Sequence, residues 1–235
     1  PGPHLYSPRA TRIHGEDEMF VGHYGVSFAI KRWEPKIPLW LLFVAAQFLD
    51  ILWAPFVLLG IEKVRVVPGF MPASPLDLDY IPYSHGLLTA LFWSVLFYAV
   101  VRYITCREWP VRAPILLGVA VFSHWVLDFI THGHDLPLWG DQDKVGLGLW
   151  NHPTASALAE AGVLLGGIWL SGMAKGGRWR WWVFAAVLLA VQFGGDLGPP
   201  PSSPVVIGIS GLLIYVVLAT AAWWLERWRK QGTTP

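Results

Sequence analysis

Four ionisable residues lie inside otherwise apolar stretches of this 235-residue chain: Asp50, His124, Asp128 and Glu160. Within a membrane-spanning helix each costs about 2.5–3.5 kcal/mol on insertion scales, so such residues pair, bind or react. The sharpest local pattern is SHWVLDFITHGHD, from Ser123 to Asp135. His124 and Asp128 are four apart there, one turn from each other on the same helical face. An imidazole nitrogen and a carboxylate oxygen presented in this way can hold one cation. The bland alternative is a hydrogen-bonded His–Asp pair with no ion. In the HGHD segment His132 and His134 compete for one role. His85 and His152 stand just before two further apolar stretches, and His23 lies early in a short one. Their bland alternatives are an interfacial histidine for His23, a helix-start residue for His85 and a cap for His152. Glu160, two turns from His152, reads as polar lining rather than as a ligand.

The elements that must carry these residues follow from composition. Hydrophobic residues make up 54% of the chain and charged ones 14%, against about 25% charged in an ordinary soluble domain. Mean hydropathy is +0.46. A disordered chain, a coiled coil and a disulfide-stapled module are excluded. A net charge of +1 implies neither nucleic acid nor an acidic partner, and Cys106, the single cysteine, excludes an internal disulfide and a cysteine-rich metal site. Apolar blocks cover 37–61, 86–103, 113–131, 154–174, 181–197 and 205–225, with the fifth the weakest. Each is close to the ~20 residues that cross a bilayer. The predicted fold is an all-α polytopic membrane bundle of six long transmembrane helices plus a short N-terminal inserted helix over 19–33. Residues 1–18 are expected to form a polar tail, 19–230 a single membrane-embedded domain and 231–235 a C-terminal tail.

Lysine and arginine beside the spans set the orientation. Twelve cluster around residues 31–36, 102–112, 175–180 and 227–230, whereas the opposite side receives only Lys63, Arg65 and Lys144. The basic side is expected to be cytoplasmic, with the C-terminus inside and the loops 62–85, 132–153 and 198–204 outward. The proline-containing segment 67–82 reads as a lid or a rigid loop. On this topology His23, Asp50, His85, His124, Asp128 and the loop histidines converge on one depth, toward the outer face. The tryptophan-rich stretches 178–182 and 223–228 read as interface belts.

The order His23, Asp50, Tyr83-Ser84-His85-Gly86 and His124-x3-Asp128 resembles the YdjM-like membrane-bound metal-dependent hydrolases, over roughly residues 19–152. The histidine of that family's THS motif is kept as His85, with its hydroxyl residue shifted to Ser84. A more distant similarity is to the all-helical zinc-dependent phospholipase C and single-strand nuclease group, whose ligands run His, Asp, His, HxxxD-x5-H, His, Glu. That resemblance implies metal ligation by His23, Asp50, His85, His124, Asp128, His134 and His152, and favours His134 over His132. The position four after His152 is Ser156 rather than glutamate, so one or two ions are expected rather than three. The analogy implies phosphodiester hydrolysis.

A His/Asp site without cysteine suits zinc, with Mn or Fe as alternatives. The expected chemistry is metal-assisted hydrolysis, with Asp128 able to bridge two ions and Asp50 either a ligand or the base that orients water. Asp50 and Asp128 are thus the candidate catalytic residues. A site in the outer leaflet of a cell membrane, a bacterial inner membrane, favours a lipid or lipid-linked substrate. Two other classes are compatible with the residues: a zinc-dependent, ceramidase-like lipid amidase, and a metal or proton transporter using the same cluster.

Overall fold

The computed structural model describes residues 21–105, 108–175, 179–196 and 201–231. The tail expected over residues 1–18, the start of the first helix at Met19, Cys106, Arg107, Arg178 and the last four residues lie outside the described residues. In chain order the elements are α1 (Val21–Ile30), α2 (Leu39–Ala46), α3 (Phe48–Leu58), β1 (Lys63–Val66), β2 (Leu76–Tyr80), α4 (Leu87–Ile104), α5 (Arg112–Thr131), a 3-10 turn (Leu149–Asn151), α6 (Pro153–Ser171), α7 (Arg180–Asp196) and α8 (Pro204–Gln231).

The chain is mostly helical, but six long spans are not what it forms. Among the described residues four helices are long and apolar enough to cross a membrane: α4, α5, α6 and α8 over Pro204–Arg227. The block 37–61 is broken at Gln47 into α2 and α3, bent by 52°, and makes a fifth span only if the pair is taken together. At 17 residues, α7 reaches only about 25 Å. The first helix is also corrected. With eight of its ten residues buried and α2, α5, α6 and α7 packed around it, α1 is the centre of the bundle rather than a helix partly inserted into lipid.

Glycine lets α1 lie so deep. A Cβ on Gly25 would collide with the backbone carbonyl of Val163, and one on Gly167 with the carbonyl of Gly25. The backbones of α1 and α6 therefore touch directly, as helices do where small residues meet. Glu160 completes the junction: its Oε2 accepts the N–H groups of Val21 (3.2 Å) and Gly22 (3.4 Å) at the start of α1. This is neither ligation nor a generic lining but a helix cap supplied from a neighbouring helix. Gly167→Val is expected to prevent α1 from docking, seen as loss of the folded, monodisperse protein in detergent; a variant melting within about 1 °C of wild type would contradict the crossing.

The two ends of the bundle differ in charge. At one end Lys31 Nζ lies 2.6 Å from Glu226 Oε1, whose other oxygen accepts the Leu39 N–H at 2.8 Å, and Arg112 pairs with Glu34. Residues from two of the four basic clusters, Lys31 and Arg112, thus pair at this end, with Glu226 next to a third. The opposite end, about 30 Å away along the twenty residues of α5, carries an unforeseen antiparallel hairpin of β1 and β2. Leu76 and Leu78 alternate with Asp77 and Asp79, so one face is apolar and one polar. The apolar face packs with Trp53, Ile81, Leu136 and Ile207 in a small core of its own, while Asp77 Oδ2 accepts from Arg65 at 2.6 Å. The lid or rigid loop expected over 67–82 is therefore the second half of this hairpin.

Candidate metal centre

Beneath the hairpin, four segments bring ionisable side chains into two donor groups that share His124: His23 from α1 with His124 and Asp128 from α5, and Asp50 from α3 with His85 from the turn before α4 and the same His124. All are buried except Asp50, whose side chain is 20% exposed. Nε2 of His85 lies 3.3 Å from Nε2 of His124, 3.3 Å from Asp50 Oδ1 and 3.6 Å from Asp128 Oδ2. Nε2 of His124 lies 3.4 Å from Asp50 Oδ1 and 3.2 Å from Asp128 Oδ2. A tetrahedron with metal–ligand bonds of ~2.0–2.1 Å has edges of about 3.3–3.4 Å. Asp50 Oδ1 and the Nε2 atoms of His85 and His124 have the spacing of one face of such a tetrahedron, and His124 also belongs to a second triad with His23 and Asp128.

The far nitrogen of each central histidine is already engaged. His124 Nδ1 is 2.7 Å from the carbonyl oxygen of Ala46, the last residue of α2, at the break in the helix. A side chain engaging the carbonyl ladder is a recognised cause of a helix kink, and here the kink also re-aims α3 so that Asp50 faces the centre. His85 Nδ1 is 2.7 Å from Ser84 Oγ, which donates to Glu62 Oε2 at 2.6 Å. Glu62 Oε1 accepts the N–H groups of Tyr83 (2.8 Å) and Ser84 (2.9 Å), fixing the turn. Because the carbonyl can only accept and the Ser84 proton is committed to Glu62, both Nδ1 atoms carry the hydrogen. In neutral imidazoles both Nε2 lone pairs then point at each other and at two carboxylate oxygens. The two Nε2 atoms and the carboxylate oxygens facing them are thereby placed to share a cation. The buried Asp128 Oδ2 and both ring nitrogens of His23 lack a hydrogen-bond partner, a costly arrangement that a ligand would relieve.

His23 stands behind this group, its Nε2 3.3 Å from Asp128 Oδ1 and its ring 4.0 Å from that of His124. Tyr215, from α8, donates to Asp50 Oδ2 at 2.9 Å and holds that carboxylate by its far oxygen. Trp53, Leu78, His132 and Trp150 wall a small cavity of about 30 Å3 bordered by Asp50, His85, His124 and Asp128.

Two residues expected in the ligand set stand elsewhere. His134 and His152 are both exposed, and neither belongs to the donor groups. The reason for His134 is local. Although α5 ends at Thr131, the His132 N–H still bonds to the Asp128 carbonyl at 2.7 Å, so His132 continues the face of His124 and Asp128. His134 lies beyond, in the turn. It is therefore His132 that is buried and lines the cavity, with Nδ1 3.1 Å from Asp135 Oδ1 and its ring 4.1 Å from that of Trp150. The repeat of four through 124, 128 and 132 was the available signal. His152 occupies the position before α6 and makes no side-chain cap bond. Ser84 had a signal in the hydroxyl residue beside His85, whereas Glu62 and Tyr215 had none as partners of the site.

Glu62→Gln is expected to weaken metal binding about 10–100-fold, the usual effect of removing a residue that orients a ligating histidine. Competition with a chromogenic chelator measures it, and unchanged affinity would detach Glu62 from the centre.

No protein-family model matches the chain, and neither a curated protein nor a solved structure matches it.

Proposed function

We propose that this protein is an integral membrane metal-dependent hydrolase acting on a lipid or lipid-linked substrate, of the kind its resemblance to the YdjM-like hydrolases implies. The observation that carries the reading is the pair of facing imidazoles of His85 and His124, whose Nε2 atoms lie 3.3 Å apart and each 3.2–3.6 Å from a carboxylate oxygen of Asp50 and of Asp128. Zinc suits a His/Asp donor set of this size, with Mn or Fe as alternatives. A divalent ion held there would polarise a substrate oxygen and lower the pKa of water.

The chain's own residues supply the rest. His85, His124 and Asp128 would hold the ion, with His23 against the second oxygen of Asp128. Asp50, the most accessible of the donors and held from behind by Tyr215, is placed to orient a water entering from the cavity and to take its proton. Trp53 and Trp150 would exclude bulk water and receive the substrate. Hydrolysis is favoured over transport by what lies on the other side of the centre among the described residues. Below it, toward the basic end, Leu39, Leu42, Phe43, Leu117, Leu164 and Ile168 form a packed apolar core without an ionisable path. The twelve-to-three distribution of basic residues supports a cytoplasmic C-terminus, with the cavity facing the outer leaflet of a cell membrane.

Metal analysis of protein purified without chelator is the direct test, and bound metal at one ion per chain is expected. Zinc at a thousandfold excess over its Kd should add about 4 kcal/mol of stability, read as a raised Tm that a chelator reverses. Protein that neither carries metal nor responds to it would remove the hydrolase reading. Movement of Zn²⁺ or protons in proteoliposomes would replace it with the transporter.

A further inference from the structure

At the basic end of the bundle a second cavity, of about 540 Å3, lies where α2 begins and the last turns of α8 run past it. Lys36 and Arg227 bring charge to its walls, Trp40 and Trp223 bring apolar surface, and all four side chains are exposed. Buried Lys31 ties these walls together. Its Nζ lies 2.6 Å from Glu226 Oε1 and donates to the carbonyls of Pro35 (2.9 Å) and Ile37 (2.5 Å), which fixes the connection between α1 and α2 against α8. Pro35 and Pro38, both in the wall, restrict that connection further. The Arg227 guanidinium sits 4.6 Å from the centre of the Trp223 ring, a cation–π contact that holds it along the wall while leaving its N–H groups to other partners.

Charge narrows what fits there. Glu226 is neutralised by Lys31, and Glu34, two residues before Lys36, is neutralised by Arg112. Among the described residues neither Lys36 nor Arg227 forms an ion pair. Two cations beside one cavity match an anionic group, and an arginine presents paired donors to phosphate oxygens. The two indoles add what a free anion does not need. The apolar span of α8 ends at Arg227, so cations and indoles share the level at which a lipid passes from headgroup to acyl chain. Val216, two turns from Trp223 on the same face of α8, is exposed, and an acyl chain can follow the helix from there.

Resting on the membrane reading of these helices and not on hydrolysis, we infer that this cavity binds an anionic phospholipid. Its phosphate lies between Lys36 and Arg227, and its glycerol and first methylenes lie against Trp40 and Trp223. The site joins the start of α2 to the end of α8 on the side that the basic residues assign to the cytoplasm, where anionic lipids are concentrated.

The test titrates full-length protein in dodecyl maltoside with phosphatidylglycerol and with phosphatidylcholine of identical acyl chains, read by native mass spectrometry. Phosphatidylglycerol is expected to form a one-to-one complex about tenfold or more tighter than phosphatidylcholine does. Lys36→Gln and Arg227→Gln should each weaken that complex about fivefold, the worth of one basic side chain at an anionic surface. Lys63→Gln, the same change of charge at an exposed position near the opposite end, should leave it unaltered. Equal affinity for the two lipids, unchanged binding in both Lys36→Gln and Arg227→Gln, or an equal loss in all three variants would overturn the inference. Glycerol 1-phosphate binding as tightly as the lipid would overturn it too, by making a soluble phosphate the occupant. Metal content is expected to be the same in every variant, so failure here leaves the metal centre standing, and an empty centre leaves the lipid site standing.

Discussion

Asp128→Ala is expected to empty the centre of metal and to reduce hydrolysis to the uncatalysed rate. One oxygen of this carboxylate lies 3.2 Å from His124 Nε2 and the other 3.3 Å from His23 Nε2, so a single side chain joins the donors of α5 to that of α1. It is 3% exposed, and no carboxylate is placed to take over its negative charge except Asp50. Without it, two imidazoles and one carboxylate must hold a divalent ion in a buried site. Metal content by plasma mass spectrometry and turnover should fall together. Asp128→Asn separates charge from shape, since the amide keeps one oxygen donor at the same place, and partial metal occupancy is expected there. Full metal retention in Asp128→Ala would show that the ion, if bound, sits elsewhere.

The second large effect is expected at Asp50. Asn at this position retains an oxygen donor but cannot accept a proton, so metal should be retained at reduced affinity while kcat falls about 10²–10⁴-fold, the range for loss of a general base. Geometry distinguishes Asp50 from Asp128. Its side chain is 20% exposed and borders the cavity, and its far oxygen accepts from Tyr215 at 2.9 Å. Tyr215→Phe should then lower kcat more modestly with metal content unchanged. Equal loss of metal and activity in Asp50→Asn would make this residue an indispensable ligand rather than a base.

Much of this arrangement could be read from residue order. The helical class followed from apolar blocks near membrane-spanning length, because no water is available there to satisfy an open backbone. The pairing of His124 with Asp128 followed from helical periodicity, which is a local property of the backbone. That His23, Asp50 and His85 share their level followed from counting residues along spans of alternating direction. His132 was legible by the same periodicity, had its four-residue step from Asp128 been weighed above the spacing that favoured His134.

What no local rule supplied are the contacts that turn five residues at one depth into one centre. The break at Gln47 has no proline or glycine to announce it; it coincides with the Ala46 carbonyl engaging an imidazole 78 residues away. Asp50 faces the histidines because α3 leaves that break at 52° to α2, and so its direction depends on His124 as much as on its own helix. Glu62 reaches Ser84 only because the hairpin brings the end of α3 back to the start of α4, and Tyr215 reaches Asp50 across 165 residues of chain. Burial of α1 depends on the mutual fit of Gly25 and Gly167, each of which alone reads as an unremarkable glycine in an apolar helix. Residue types and periodicity thus determined which groups are available and at what level. Helix crossings, set by side-chain volume and backbone approach between distant segments, decided which of them meet and which nitrogen each imidazole turns to the centre.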